Sequence, residues 1–278
     1  MSENLGYLFY KQYYWRNNSI DIHSLQRIMN GSKDCKINPA INSKLVNSKL
    51  PDFDHILSSS VHNKSFELST IYPGLLIGSG YIHEAGFENE FKIGFHFDYT
   101  TGIPVIPGSS IKGMLRSVFP GKAKSNNDER KKYIKGLITE ILKNTPANID
   151  VALLEKIDIE SLENQIFEGI KQDGKRIPVY QRDIFFEAFP FNSKNVEETF
   201  LAEDYITPHE YPLKNPVPLK FIKILPDVEF KFQFRLNDFN KQITAEIKKK
   251  LFEQIILDLG VGAKTNVGYG QFVKTIIQ

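Results

Sequence analysis

Two serines and two basic residues stand close together in a segment typical of a helix start. Ser109 and Ser110 follow a Pro-Gly step, where a hydroxyl can cap the free amides of a helix that begins near Ile111. Lys112 and Arg116 are four residues apart, so they emerge on one face of this helix, beside the positive end of its dipole. Amides, hydroxyls and cations in one place favour a phosphate site. The alternative is an ordinary capped helix whose charges are solvated.

A glycine-rich loop near the end of the chain offers a second set of donors. Residues 260–270 read Gly-Val-Gly-Ala-Lys-Thr-Asn-Val-Gly-Tyr-Gly, which places Lys264, Thr265 and Asn266 between glycines. Tyr269 belongs to the same candidate set. Glycine lets main-chain amides approach an extended ligand closely. The loop is not a P-loop, because it leaves a predicted helix and enters a strand, the reverse of the P-loop order. The alternative is a glycine helix end and a β-bulge that bind nothing.

Histidines are the residues to consider for RNA cleavage, because a metal-free ribonuclease needs a general base near the 2′-hydroxyl. His83 follows a Gly-Ser-Gly turn, and His209 lies in a proline-bound loop. Isolated histidines are more often structural, so we assign these two only secondary RNA contacts and predict that the chain is not an enzyme. One cysteine and six dispersed histidines do not form a zinc pattern, and we predict neither a metal nor another cofactor.

Hydrophobic periodicity predicts an α+β chain. The expected strands are Phe66–Tyr72, Phe91–Phe97, Ile184–Phe189, Val228–Leu236 and Gln271–Ile277. The expected helices run from Ile111 to about Pro120, over Asp128–Leu142, over Val151–Ile170, and over Lys241–Leu259 with Asn240 as its cap. The alternation in Val228–Leu236 is typical of a half-buried antiparallel strand. Once the two middle helices and the strand Phe91–Phe97 are set aside, the order approaches the ferredoxin-like β-α-β-β-α-β plan.

The composition divides the chain into an N-terminal extension and a core with insertions. Residues 1–64 begin with many aromatic side chains, which are expected to anchor on the chain's own body or on a partner protein rather than to stack on bases. Residues 65–278 are expected to form the core. It carries a helical insertion at about 122–175 and a proline-rich, irregular insertion at about 191–218.

The net charge of +2 conceals a strong segregation of charge. Residues 111–135 hold eight basic and two acidic side chains, whereas residues 150–204 hold thirteen acidic and six basic ones. Such a chain can present a basic surface to a polyanion, and the alternative is two solvated faces of opposite charge. The sequence has no long apolar span and no secretory segment, so a cytoplasmic location without a membrane partner is expected.

The two candidate motifs together carry a family resemblance. Ile106-Pro107-Gly108-Ser109-Ser110-Ile111-Lys112-Gly113-Met114-Leu115-Arg116 and the loop at 260–270 resemble the RAMP superfamily of CRISPR RNA-binding proteins. In that family the first motif opens the helix after the first core strand, and the second precedes the last strand. Within it, residues 204–212 and 215–221 are most similar to the family of sixth subunits of the type III-B Cmr effector complex.

The resemblance implies an RRM-like core that holds guide RNA without catalysis at one end of a Cmr protein filament, where target RNA and other Cmr subunits are further partners. It implies that the two motifs hold the RNA backbone, with the acidic region 150–204 facing away. The residues concerned are Ser109, Ser110, Lys112, Arg116, Lys264, Thr265, Asn266 and Tyr269.

Two further expectations depend on the same resemblance. The family's base-wedging hairpin is expected within 191–218, where Phe191, Tyr205, Tyr211 and Leu213 are the apolar residues at hand. Target-cleaving relatives carry an aspartate in the loop after the first glycine turn, whereas this chain has Ile82-His83-Glu84-Ala85, which argues against cleavage. The rival hypothesis is a metal-independent endoribonuclease of the same superfamily that uses His83 or His209 as its base.

Overall fold

A computed structural model describes most of the chain. The described ranges are 4–16, 19–20, 39–51, 61–82, 89–121, 127–145, 157–207 and 218–275. Their α-helices are α1 (Leu5–Tyr10), α2 (Pro39–Val46), α3 (Gly108–Ser117), α4 (Asn127–Lys143), α5 (Ile159–Glu163) and α6 (Ala245–Leu259). Their strands are β1 (Trp15–Arg16), β2 (Ser19–Ile20), β3 (Lys64–Thr70), β4 (Gly78–Ile82), β5 (Ile93–Phe95), β6 (Ile184–Phe185), β7 (Phe189–Ser193), β8 (Leu201–Ile206), β9 (Leu219–Ile224), β10 (Val228–Arg235) and β11 (Phe272–Lys274).

An antiparallel sheet forms the centre of the molecule. Its order is β11-β3-β10-β6, and β7 also pairs with β10. β6 and β7 together occupy the position of the second core strand. When the core strands are numbered along the chain, they lie across the sheet in the order fourth, first, third, second. This arrangement is consistent with the ferredoxin-like plan that the sequence predicted, with α3 and α6 as the two helices of that plan. Three further antiparallel pairs among the described residues, β1 with β2, β4 with β5 and β8 with β9, lie outside this sheet.

Phenylalanine side chains fill the space between the sheet and α6. Phe66 on β3 stacks on Phe232 of β10 with ring centroids 5.2 Å apart, and Phe234 packs against Phe252 of α6 at 5.6 Å. The other face of β10 is partly covered, because Glu229 is only 4% exposed whereas the Lys231 side chain is 23% exposed. The predicted half-buried antiparallel strand is therefore present, but Glu229 is buried where the prediction had it exposed. The reason is that β7 and its neighbours supply polar partners to the Glu229 carboxylate, namely Asn192 at 2.6 Å and Lys194 at 2.8 Å.

The helices agree with the periodicity but not with the predicted caps. α4 matches its prediction to within a residue at each end. α6 begins at Ala245 rather than 241, because the Thr244 hydroxyl accepts the Ile247 amide and forms the cap. Asn240 instead accepts the amides of Gln242 and Ile243 in a turn before the helix.

The segment predicted to be an irregular proline-rich insertion is largely regular. It contains most of β7 and all of β8, and β8 pairs with β9 from Leu201 opposite Ile224 to Ile206 opposite Leu219. The result is an antiparallel hairpin whose connection falls at 207–218, and residues 208–217 of that connection lie outside the described ranges. The proline content led to the prediction of an irregular segment, but most of these prolines fall in the connection between β8 and β9. Pro190 is accommodated on β7, where the pairing with β10 shifts register.

Other predicted elements are shorter than expected. The strand predicted at Phe91–Phe97 keeps only its centre as β5, and the one at Ile184–Phe189 divides into β6 and β7. The helix predicted over Val151–Ile170 is the short α5 followed by a π-helical turn at Asn164–Glu168, with residues 151–156 outside the described ranges.

The aromatic N-terminus docks on the chain's own body. Phe9 of α1 is fully buried and lies 5.4 Å, centroid to centroid, from the ring of Phe97. Tyr13 is also buried, and its hydroxyl accepts the Phe91 amide at 2.7 Å. Both contacts attach the first described residues to the region around β5, as the expected anchoring on the chain's own body requires.

A buried ion pair fixes the end of the sheet at β6 to α6. The Nζ atom of Lys248 lies 2.6 Å from Oδ2 of Asp183, and the two side chains are 0% and 2% exposed. The Oδ1 atom of the same carboxylate accepts the Asn237 amide at 2.8 Å.

We expect Lys248→Met to lower the free energy of unfolding by about 3–5 kcal/mol, because it leaves a buried carboxylate without its cation. Adding Asp183→Asn removes that charge and keeps an acceptor for the Asn237 amide, so the double variant should regain much of the loss. Urea denaturation of the three proteins checks this. A double variant no more stable than the single one would contradict the account.

Candidate nucleic-acid interface

A groove of about 430 Å³ separates α3 from the glycine-rich loop. The α3 side is lined by Pro107, Ser110, Met114 and Ser117, and the loop side by Gly260, Val261, Gly262, Ala263, Thr265 and Asn266. The two motifs that the sequence singled out are thus walls of one groove. Of the described residues that line it, none is acidic and none is a histidine.

The loop wall depends on glycines that let backbone strands approach each other. Gly270 has a φ of +71°, and a Cβ there would lie 2.1 Å from the Val261 carbonyl oxygen. Gly262 has a φ of +112°, and a Cβ there would lie 2.7 Å from the Leu76 carbonyl oxygen. The Val261 amide donates to Gly270 at 2.9 Å and the Ala263 amide to Leu76 at 2.8 Å. The loop is therefore closed on itself and attached to the segment that follows β3.

The α3 wall presents the amide end of a helix. Pro107 occupies the cap position, and no side chain among the described residues caps the helix. Ser109 and Ser110 lie within its first turn and are exposed, so the prediction that one of them is the cap was wrong. The helix begins three residues earlier than predicted, because the fixed φ of proline suits the chain just before a helix. The Ser110 and Ile111 amides donate to the Pro107 carbonyl at 2.9 and 3.1 Å, so the donor that the start of α3 offers at the groove is the Ser110 hydroxyl.

The loop wall adds a cation and two polar side chains. Lys264 is exposed and adopts the left-handed conformation with φ +60°, which starts the 3₁₀ turn at Thr265–Val267. Thr265 is half-buried and Asn266 is exposed, and both line the groove. Hydrogen-bond donors on both walls and a cation at the rim make a site that can hold an anion such as a phosphate.

Two of the predicted residues face elsewhere. Ser109 lines a second groove of about 450 Å³ on the other side of the α3 start, together with His62 and Glu187. Burial raises the pKa of Glu187, and the nearby Asp98 charge adds to the shift. Lys112 has its ammonium 5.9 Å from the ring centre of Phe185. The structure therefore does not bring these two residues into the groove of Ser110.

Arg116 is engaged in ion pairs at the far end of α3. Its guanidinium contacts Glu168 directly, and its Nε lies 3.9 Å from Glu163. Because α3 ends at Ser117, Arg116 lies in the last turn, beside the negative end of the helix dipole, and not beside the positive end as the sequence suggested. These partners neutralise the guanidinium, so we leave Arg116 out of the interface.

Tyr269 joins the glycine-rich loop to the β8–β9 hairpin. Its ring is 8% exposed, and its hydroxyl donates to Oδ2 of Asp204 at 2.7 Å. Lys223 on β9 donates to the same oxygen at 2.7 Å. Burial alone would raise the pKa of Asp204, but the hydrogen bonds from Lys223 and Tyr269 outweigh it and lower that pKa. Burial and the same hydrogen bond raise the pKa of Tyr269.

Sequence reasoning missed the Asp204–Lys223 pair altogether. The signal that would have found it is the register of two strands, which becomes apparent only once β8 and β9 are recognised as partners. His83 and His209 lie outside the described ranges. Within the ranges that are described, no group of three or more His, Cys, Asp or Glu side chains is placed to hold a metal ion. No helix in that part of the chain has the length and apolar character needed to cross a bilayer.

Comparison with known proteins places these features in a wider context. A sequence profile of the RAMP superfamily matches residues 67–273. The CRISPR system Cmr subunit Cmr6 of Pyrococcus furiosus is 28% identical over 226 residues, covering 69% of this chain and 64% of that protein. The chain thus matches slightly less than two thirds of that relative's length.

Solved structures give weaker likenesses. A chain in the cryo-EM structure of the Type III-B Cmr-beta bound to cognate target RNA is 26% identical, with a TM-score of 0.47, over 77% of this chain and 58% of that one. The crystal structure of Cmr6 from Pyrococcus furiosus is 22% identical, with a TM-score of 0.41, over 77% of this chain and 97% of that one.

We expect Asp204→Asn to destabilise the protein by about 1.5–3 kcal/mol at pH 7, because hydrogen bonds to a charged acceptor are the stronger kind. The lowered pKa of Asp204 has a defined consequence for pH dependence. Its contribution is complete above the unfolded-state value of about 3.9 and is lost as pH falls through the lower folded-state pKa. Urea denaturation between pH 2 and 7 measures both effects.

Tyr269→Phe is the matched control, because it removes one donor and leaves the carboxylate and Lys223 in place. It should cost less than Asp204→Asn and keep the acid-dependent loss. Identical acid profiles for Asp204→Asn and the unmodified protein would show that the carboxylate contributes nothing.

Proposed function

This chain belongs to the RAMP superfamily, and we propose that it is a non-catalytic RNA-binding subunit of a cytoplasmic type III-B Cmr effector complex. The observation that carries the proposal is the groove in which Ser110 and the side of α3 face the glycine-rich loop. Both walls offer donors, and no acidic side chain lines the groove among the described residues. An extended polyanion is the ligand that such a surface favours.

The donors suit the RNA backbone rather than the base edges. Main-chain amides, Ser110, Thr265 and Lys264 present no paired donor and acceptor sets of the kind that distinguish one base from another. Contacts to phosphates position a nucleic acid without reading its sequence. A subunit that must accept any guide RNA needs this tolerance.

The Cmr assignment rests on sequence. The relative from Pyrococcus furiosus is named as a Cmr subunit, and it shares 28% identity with this chain. We therefore propose that other Cmr subunits, guide RNA and the target RNA paired with it are this chain's partners. The β8–β9 hairpin is our candidate for the family's base-wedging element, because its strand β8 lies within the segment predicted for that element and carries Tyr205, 56% exposed, near its end.

None of the described residues that line the groove is a general base, and this supports our proposal of a role without catalysis. A metal-independent ribonuclease needs a general base within hydrogen-bond reach of the 2′-hydroxyl, and serines and amides at neutral pH cannot serve as one. We expect repeat RNA incubated with the full chain in EDTA to remain intact on a denaturing gel. Site-specific cleavage that His83→Ala abolishes would overturn the scaffold role in favour of the endoribonuclease.

Two variants test the groove by adding one negative charge, either at Ser110, which lines it, or at Ser109, which lines the second groove. Ser110→Asp should weaken binding of fluorescein-labelled single-stranded RNA, measured by anisotropy, by about tenfold, because it places a carboxylate where a phosphate would lie. The same charge at a helix start should maintain or raise the melting temperature. Ser109→Asp is the matched control, since it adds the charge to the same turn but faces the second groove. Equal losses from both variants would contradict this groove as the RNA path.

The Lys264→Asn variant tests independently whether Lys264 contacts a phosphate of the RNA. Asparagine tolerates the left-handed conformation at this position, so the loop should keep its shape. The slope of log affinity against log salt should become shallower by about 0.7, the value for one phosphate of a single strand. Lys175→Asn is the control, because Lys175 is 81% exposed, far from the groove in sequence, and paired with Asp173. An unchanged slope for Lys264→Asn would exclude this contact.

A further inference from the structure

Tyr72 is a large aromatic side chain that the fold leaves in solvent. It follows the end of β3 directly and is 83% exposed. The sequence predicted it as the last residue of a strand and gave it no role. Single exposed apolar residues are common on protein surfaces, so exposure alone carries no conclusion. What distinguishes Tyr72 is its position in the turn at 71–74.

The turn that carries Tyr72 is bound to the glycine-rich loop by main-chain hydrogen bonds. The Ile71 amide donates to Gln271 at 3.2 Å, and the Gly270 amide donates to Gly74 at 2.8 Å. Within the turn, the Gly74 amide donates to Ile71 at 2.7 Å. The residues on both sides of Tyr72 are therefore hydrogen-bonded to the end of the glycine-rich loop and to Gln271. These bonds fix the backbone of Tyr72 relative to the loop.

The residue after Tyr72 lies beside the 3₁₀ turn that contributes to the groove. A Cβ on Gly268 would lie 3.5 Å from Cδ of Pro73, which places the end of that turn against the residue next to Tyr72. Val267, in the same turn, is 62% exposed. Thr265 lines the groove, and three residues of 3₁₀ helix extend about 6 Å.

We infer that Tyr72 is a stacking platform for a nucleobase of the single-stranded RNA whose backbone lies in the groove. The inference rests on the proposed RNA-binding function and adds a second kind of contact to it. Every base has a π-face, so stacking on an exposed ring adds affinity without requiring a sequence. The phosphates would contact the α3 start and the loop donors, while the base beyond the 3₁₀ turn would lie on the Tyr72 ring, next to the apolar surface of Val267.

The test compares two exposed tyrosines. Tyr72→Ala should weaken binding of labelled single-stranded RNA by about 5- to 150-fold, the effect of losing one base–aromatic stack of about 1–3 kcal/mol. Tyr72→Phe keeps the ring and should stay within about threefold of the unmodified protein. Tyr99→Ala is the matched control, because Tyr99 is 94% exposed in the loop after Phe97, away from the glycine-rich loop in sequence. It should leave the affinity unchanged.

A spectroscopic readout tests the contact itself. RNAs carrying a single 2-aminopurine, moved one position at a time, should show one position whose fluorescence changes on binding to the unmodified protein and to Tyr72→Phe but not to Tyr72→Ala. Melting temperatures of the variants establish that each is folded, and none should change much, because both rings are exposed.

The outcomes separate this inference from the proposed function. If the unmodified chain binds RNA and Ser110→Asp weakens it while Tyr72→Ala does not, the stacking inference is overturned and the groove stands. If the unmodified chain does not bind single-stranded RNA even at low salt, both fail. If Tyr72→Ala keeps RNA affinity but prevents association with another protein subunit, Tyr72 is a protein contact and the inference is likewise overturned.

Discussion

The close approach of two backbone segments at the glycine-rich loop is the constraint on which the groove depends. The Val261 amide donates to the Gly270 carbonyl at a separation that leaves no room for a side chain at Gly270, and a Cβ on Gly262 would lie 2.7 Å from the Leu76 carbonyl oxygen. These contacts bring the chain between α6 and β11 back against the segment after β3. Since β3 and β11 are neighbours in the sheet, the loop wall is held from both ends. The α3 wall can then face a surface of fixed shape, and donors on the two walls stay aligned without a ligand.

The charges that are segregated along the sequence are partly paired with each other in the fold. The excess of acids in 150–204 partly serves the chain itself, because Glu163 and Glu168 neutralise Arg116 at the end of α3 and Glu160 pairs with Lys131 of α4 at 2.7 Å. The acids thereby gather at the carboxyl end of α3, around Arg116, whereas the groove runs along α3 from Pro107 to Ser117 with no acidic residue among its described lining.

Long periodic elements could be predicted, and features that depend on partners could not. β3, β10 and α4 were found because their patterns repeat over several turns or strand pairs. The start of α3 and the start of α6 were misplaced by a few residues, because several Ser, Thr and Asn side chains compete for a cap and local geometry decides among them. Both groove motifs were found from their residue types, but Lys112, Arg116 and Tyr269 were assigned to RNA although each has a partner in the protein, namely Phe185, two glutamates and Asp204.

If RNA binds in the groove as proposed, the size of the groove limits how tightly this chain can hold it by itself. A surface of a few amides, hydroxyls and one lysine contacts only a few phosphates, and each phosphate contact weakens as salt rises. Affinity in a complex then comes from several subunits along one strand, because binding at one site raises the effective concentration at the next. In such a complex, the rigidity of a site matters more than its own affinity, because a rigid site adds contacts without a further entropic cost of ordering. The bonds that join Tyr269, Asp204 and Lys223 extend this rigidity from the loop to the β8–β9 hairpin, so that the groove proposed for the RNA backbone and the hairpin proposed to wedge between bases keep one fixed relation.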